Sequence, residues 1–398
     1  MKRMQLVAVL VAVAFIQWLI ALPFLVVKLG GKYETVGLLV GCSSLFYAGG
    51  SLSLHSFVVR FGYRRVLWIT LPSLAVSTAL CAFVPNLPVL FVVVALLSIM
   101  LALFWTSWEC MFSSQDHAGG LVRSMMHYCL GFTAGDIVGS WLGTALVDRD
   151  FGVSFFRLRL PFLFAGATVL LCMALLFWIE RSGRLRRGYA APDPPQRTLH
   201  GGERFLPATR VLFFFVFCAG GITLSFVPLM VAREMSDWTG LSSRVIALQP
   251  LAQAICLLLL GHWSGWVHKS WPLWACAFVL ILAIGLLCAP LAWAIPRPLG
   301  ASCFKVGLCL VGAAIALSFL MNLVYSMERP ETRARNAGIH EAVVGLGMTA
   351  GPVLAGYGAK AAGDKGAGAL WVAGALAVSG LVLTLGVWWR WCRRATTS

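Results

Sequence analysis

The sequence predicts an all-α integral membrane protein: twelve transmembrane helices in two pseudo-symmetric halves of six. Three observations predict it. Of 398 residues, 60% are hydrophobic and only 12% are charged, about half the charged share of a water-soluble domain. The apolar residues gather in runs of about 20, the length at which a helix crosses the hydrocarbon with its backbone hydrogen bonds satisfied internally. A polar stretch rich in Pro and Arg divides these runs into two sets of six.

The first set falls at roughly 6–27, 35–59, 66–84, 88–112, 124–147 and 160–180, and the second at roughly 209–232, 244–263, 272–293, 303–327, 337–360 and 367–391. Between them Arg184, Arg186, Arg187, Pro192, Pro194, Pro195, Gly201 and Gly202 make a connector that lipid cannot solvate. The expected division is a first half over 1–180, a basic linker over 181–208 and a second half over 209–398. The opening run continues from Leu6 to Val27, longer than the apolar core of a cleavable signal, and reads as a retained helix. Shifting the second half by 205 residues lays Pro23 on Pro228 and Tyr33 on Trp238, a faint internal repeat.

A net charge of +16 would point to nucleic acid in a soluble protein. Here Lys and Arg stand between apolar runs, with no basic face interleaved with aromatics, so the expected partner is the lipid bilayer and not nucleic acid. Counted on alternate loops, 20 of the 31 basic residues lie on the side of the termini and connector and 11 opposite. Both termini are therefore expected in the cytoplasm, in a plasma or bacterial inner membrane. The connector supplies seven of the 20; Arg60, Arg64 and Arg65, with Arg329, Arg333 and Arg335, add local weight. The twelve cysteines sit in or beside apolar runs without CxxC spacing, so neither a metal site nor a disulfide framework is expected.

Six plus six spans, a long basic connector and a basic loop between spans two and three resemble the major facilitator superfamily over essentially the whole chain. Arg60-Phe61-Gly62-Tyr63-Arg64-Arg65 is similar to the second half of that family's signature, a glycine and an acid followed by Arg-x-Gly-x-Arg-Arg. Val59 and His55 stand where the acid and the first glycine belong. In span eleven, Gly347 to Gly356 is similar to the family's Gly-Pro-x-x-x-Gly pattern. Span five keeps the glycines Gly131, Gly135 and Gly139 but has Asp136 for the proline that drug antiporters carry there. The resemblance implies a solute cavity between the halves, walled by helices 1, 4, 5, 7, 8, 10 and 11 near the midplane.

Several residues are candidates for that site. Gly131, Gly135, Gly139 and Gly143 form one stripe of span five, extended by Arg123 and His127, and read as a packing seam. About 100° round the helix lie Thr133, Asp136, Ser140 and Thr144. A carboxylate at mid-span costs a few kcal/mol in hydrocarbon, so Asp136 is expected to face a cavity and bind a proton or a cationic group. Gln17, Trp18, Ser44, Tyr47, Thr223, Gln249 and Gln253 stand near mid-membrane, with Asn322 and Tyr325 deeper in span ten; each serves either a solute or a helix–helix contact. Glu109, His127, His340 and Glu341 suit a gate or proton relay, or else pair with loop arginines such as Arg123. Pro23 and Pro228 are expected to kink their helices.

No Ser-His-Asp grouping, HExxH or phosphate loop occurs, so neither an enzyme, a cofactor nor a metal is expected. The expected function is secondary-active, proton-coupled movement of a small solute by a monomer. One alternative is a drug-type exporter with a wide aromatic cavity, for which Trp18, Trp105, Trp108 and Phe112 are suited. Another is a membrane receptor or scaffold that transports nothing.

Overall fold

The structure is a computed structural model that describes residues 2–53, 60–113, 120–148, 157–181, 201–235, 238, 241–292 and 295–395. His55, Val59 and most of the connector lie outside the described residues, as does the side chain of Phe112. Twelve helices cover nearly all of the rest: α1 (Lys2–Lys28), α2 (Tyr33–Ser53), α3 (Tyr63–Leu80), α4 (Leu87–Ser113), α5 (Gly120–Asp148), α6 (Leu160–Arg181), α7 (Leu206–Glu234), α8 (Leu248–His262), α9 (Trp271–Ala292), α10 (Arg297–Met327), α11 (Arg333–Ala361) and α12 (Gly366–Ala395). Each expected run coincides with one helix, and all twelve are long and apolar enough to span a bilayer, α8 with the 3-10 turn Ser243–Ala247 that precedes it. The chain is a multi-pass membrane protein. The twelve described spans put Lys2 and Ala395 at one end of the bundle, here called the terminal side; the other is the far side.

Helices that are apolar all round gain little from the hydrophobic effect when they meet in lipid, so small residues that let backbones approach decide the packing. The glycine stripe of α5 is such a seam. A Cβ built on Gly135 or Gly139 would strike the carbonyl of Val9 or Val13 in α1, and one on Gly143 would lie 3.2 Å from Gln17 Cα. The equivalent pair in the second half, α7 and α11, meets through Gly347 and Gly351, where a Cβ would strike the carbonyls of Phe214 and Cys218.

The halves join along two seams, α2 with α11 and α5 with α8, which exchange when six is added to or subtracted from each helix number. Contacts of α1 with α7, α4 with α11 and α5 with α10 close the centre. Helices α3, α6, α9 and α12 stand outermost and turn Ile69, Leu170, Phe278 and Val382 toward lipid. The prolines Pro23 and Pro228 lie inside α1 and α7. The Pro228 carbonyl accepts a hydrogen bond from Ser243 Oγ at 3.1 Å. No disulfide joins the described cysteines.

Candidate functional site

A cavity of about 160 Å³ lies between the halves. The α5 seam explains what faces it. With Gly135 and Gly139 held against α1, the stripe Tyr128, Phe132, Asp136 and Ser140, spaced by four, points into the cavity. Phe15, Ile16 and Leu19 of α1, Ser43, Ser44 and Tyr47 of α2 and Trp105 of α4 complete the wall of the first half. The second half contributes Phe217, Gln249, Gln253, Phe319, Glu341 and Met348, among others.

Asp136 is half-buried, and no hydrogen bond or ion pair holds its carboxylate among the described residues. Across the α5/α8 seam, Gln253 Nε2 donates to Thr133 Oγ1 at 3.2 Å. The Thr223 hydroxyl lies 2.9 Å from Gln249 Oε1 and equally close to the Gly220 carbonyl, behind the wall. Ser140 Oγ is buried with no hydrogen-bond partner among the described residues.

On the terminal side of the cavity Glu109 of α4 meets His340 and Glu341 of α11, all three buried, with one ligand atom of each within 4.8 Å of the others. Tyr47 donates a hydrogen bond to Glu341, and the Tyr128 hydroxyl lies 3.4 Å from Glu109 Oε1. His340 Nδ1 is 2.8 Å from Asn322 Oδ1, and the ring stacks on Phe213 with centroids 4.7 Å apart. Its Nε2 lies 3.7 Å from Glu109 Oε1, an ion-pair distance and not a hydrogen bond, and has no hydrogen-bond partner among the described residues. By spacing and donor type these three side chains could also hold a metal ion.

Contacts between the halves lie on both sides of the cavity. On the terminal side Phe132 of α5 meets Phe319 of α10 with ring centroids 5.1 Å apart. On the far side Tyr33 donates to Glu234 Oε1 at 2.6 Å and stacks on Phe226, while Lys360 pairs with Glu34 at 2.6 Å and Lys32 with Asp364 at 3.2 Å.

Of the candidates read from sequence, Ser44, Tyr47, Asp136, Gln249, Gln253 and Glu341 line the cavity. Thr223 stands behind Gln249. Gln17 and Trp18 do not face it: α1 turns Phe15, Ile16 and Leu19 inward, so Gln17 packs on Gly143 and Trp18 Nε1 lies 3.4 Å from Cys81 Sγ. Asn322 braces His340, and the Tyr325 hydroxyl accepts from the His268 backbone at 3.0 Å. His127 is half-buried outside the Glu109 group, its carbonyl accepting from Gln5 Nε2 at 3.2 Å. In the loop, Gly62 has φ +82°, a left-handed turn that suits glycine. Arg60 caps the Phe61 ring at 5.7 Å, Arg65 is exposed, and Arg64 makes a two-pronged ion pair with Glu180 at the end of α6, both contacts 2.8 Å. Sequence reasoning missed Phe15, Phe132, Phe217 and Phe319 as wall residues. For Phe132 the signal was present, since it lies four residues before Asp136 on the same helical face.

The Major Facilitator Superfamily model matches residues 6–330. No curated protein sequence matches the chain. Among solved structures, a bacterial homologue of the human lysosomal transporter Spinster, inward-facing and occupied, superposes with a TM-score of 0.70 at 14% identity, covering 98% of this chain and 96% of its own. The nucleoside transporter NupG superposes with a TM-score of 0.70 at 15% identity, covering 97% of each chain. The human organic anion transporter MFSD10 (TETRAN) does so with a TM-score of 0.63 at 17% identity, covering 96% of this chain and 98% of its own. At such identities the likeness speaks for the fold alone. With the family match over most of the chain and two seams that exchange under a shift of six helices, the chain belongs to the major facilitator superfamily, whose fold implies movement of a solute across a membrane by alternating access.

Proposed function

We propose that the chain is a secondary-active transporter of a small solute, driven by protons, with the solute seated in the 160 Å³ cavity. The observation that carries this reading is the group Glu109, His340 and Glu341, contributed by both halves and joined to the cavity through Tyr47. Two carboxyls buried side by side repel if both are ionised, so gaining or losing a proton there changes how strongly the halves hold each other. Asp136 binds the solute or a proton, and Glu109 and Glu341, with His340, tune the gate on the terminal side. Residues 1–180 and 209–398 rock as two units about the cavity. The unit is a monomer with both termini cytoplasmic, in a plasma or bacterial inner membrane, and it performs no chemistry on its cargo.

The test is reconstitution into liposomes that enclose a pH-sensitive dye, challenged with a metabolite and drug library. The expected result is proton movement triggered by one solute class and lost in Glu109→Gln and Glu341→Gln. Solute flux without proton movement would remove the coupling. Absence of any flux would favour the receptor or scaffold.

The aromatic wall of Phe15, Trp105, Tyr128, Phe132, Phe217 and Phe319 favours a second reading, a drug-type exporter. The modest volume weighs against it, and a resistance assay in cells separates the two.

A further inference from the structure

We propose that the solute is a small organic cation, an apolar body the size of one ring bearing one ammonium group that pairs with Asp136; this rests on the transport reading above. The charge inventory of the cavity comes first. Its ionisable lining groups are Tyr47, Tyr128, Asp136 and Glu341, and among the described residues no Lys, Arg or His lines it, in a chain with 31 basic residues against 15 acidic ones. A carboxylate or phosphate solute would lose its water and meet no cation, only two acids.

The two acids are not equivalent. Glu341 is engaged by Tyr47 and stands beside Glu109 and His340. Asp136 has no such partner among the described residues, and along the same face Ser140 Oγ is also unpartnered. Gln253 donates one N–H to Thr133, and no hydrogen bond to its Oε1 is seen among the described residues, so that oxygen is an acceptor there. The result is a cluster of acceptors on the α5/α8 side of the cavity, the complement of an ammonium, which has three donors and no acceptor.

The rest of the wall is suited to the body of such a molecule. Phe15, Trp105, Tyr128, Phe132, Phe217 and Phe319 line the cavity with aromatic rings, surfaces that suit a cation or another ring. A hydrated metal ion or a polyol would leave most of its hydrogen bonds unmade against them. The volume sets the size: 160 Å³ is close to the roughly 150 Å³ of an apolar cavity that accepts benzene.

The test uses the purified full chain and three probes of nearly one shape: phenethylammonium, phenethyl alcohol and phenylacetate, with binding measured by calorimetry at neutral pH. The ammonium is expected to bind at least about ten-fold tighter than the alcohol, and phenylacetate not at all. In Asp136→Asn the ammonium should weaken about ten- to a hundred-fold, the range of a hydrogen bond to a charged group, while the alcohol is unchanged. Retained binding of the alcohol reports that the variant is folded, and the comparison of probes on the parent needs no variant. Phenylacetate binding as tightly as the ammonium, an ammonium affinity indifferent to Asp136→Asn, or no binding by any probe would each overturn the proposal. Failure of the transport reading would appear elsewhere, as absence of flux for every solute in the liposome screen.

Discussion

His340 Nε2 stands 3.7 Å from Glu109 Oε1 across the seam between the two halves. The imidazole has little freedom to retreat, because Asn322 holds Nδ1 at 2.8 Å and the rings of Phe213 and Phe319 each pack at 4.7 Å. A change of charge on Glu109 is therefore felt by α11 as a whole. Glu109→Gln keeps the shape and removes the charge. Uptake driven by a pH gradient should fall at least about ten-fold, the effect of roughly 1.4 kcal/mol, while exchange of labelled for unlabelled solute without a gradient persists. An unchanged response to the gradient would separate Glu109 from coupling.

The brace on that ring makes a second, structural expectation. Asn322→Leu is close in volume but cannot bond Nδ1, so a buried polar group loses its partner at a cost of about 1–3 kcal/mol. The melting temperature of the purified protein should drop, and His340→Phe in the same background should restore part of it by removing the orphaned group. No drop would mean that water replaces Asn322.

Glycines on the α2/α11 seam offer a cleaner test of packing. A Cβ on Gly37 would overlap the carbonyl of Pro352, and one on Gly41 would overlap the side chain of Val353. Gly37→Ala should destabilise by about 1–3 kcal/mol through overpacking and slow transport, since the same surfaces must meet in each cycle. Gly285→Ala in α9 and Gly386→Ala in α12 meet nothing within 4 Å and should be neutral or slightly stabilising. Equal effects at all three positions would show that helix propensity and not the seam is responsible.

The spans and the α5 seam were legible in the sequence because both depend on local spacing. Hydropathy runs report the helices, and glycines four apart report a close approach. Rotation of each helix about its axis was not legible where the helix is apolar all round. In α1 nothing in the pattern tells whether Gln17 and Trp18 or Phe15 and Leu19 face inward, and the answer is set by which side the α5 glycines grip. The meeting of Glu109 with His340 and Glu341 likewise needs the fold, because α4 and α11 are brought together by the α2/α11 seam. Depth along each helix, by contrast, could be counted from the span ends, which is why Tyr47, Asp136, Gln249 and Gln253 were candidates for the midplane.

Arg64 and Glu180 form a two-pronged ion pair between α3 and the end of α6, with 54% of the arginine side chain exposed. An exposed pair contributes at most about 1 kcal/mol, and it lies within one half. Arg64→Ala should lower the melting temperature slightly and leave transport close to that of the parent. Reversal of both charges, Arg64→Glu with Glu180→Arg, should recover the small loss. A large loss of transport would give this loop a role in the cycle that the pairing alone does not explain.

Tyr33 and Glu234 tie α2 to α7 on the far side through a 2.6 Å hydrogen bond, and the Glu234 carboxylate also accepts from the Gly366 backbone at the start of α12. In the alternating-access cycle proposed above, this contact between the halves breaks when the far side opens, so it biases the cycle toward the closed state. Tyr33→Phe removes the hydroxyl and keeps the ring stacked on Phe226. Because Glu234 is exposed, the loss is about 1 kcal/mol, enough to shift the closed and open populations about five-fold. A cysteine introduced at the cavity wall, Leu19→Cys, should then react about five-fold faster with a membrane-impermeant maleimide applied from the far side. The solute should slow that labelling in both backgrounds. An unchanged labelling rate would mean that the neighbouring pairs Glu34–Lys360 and Lys32–Asp364 hold the far side shut without Tyr33.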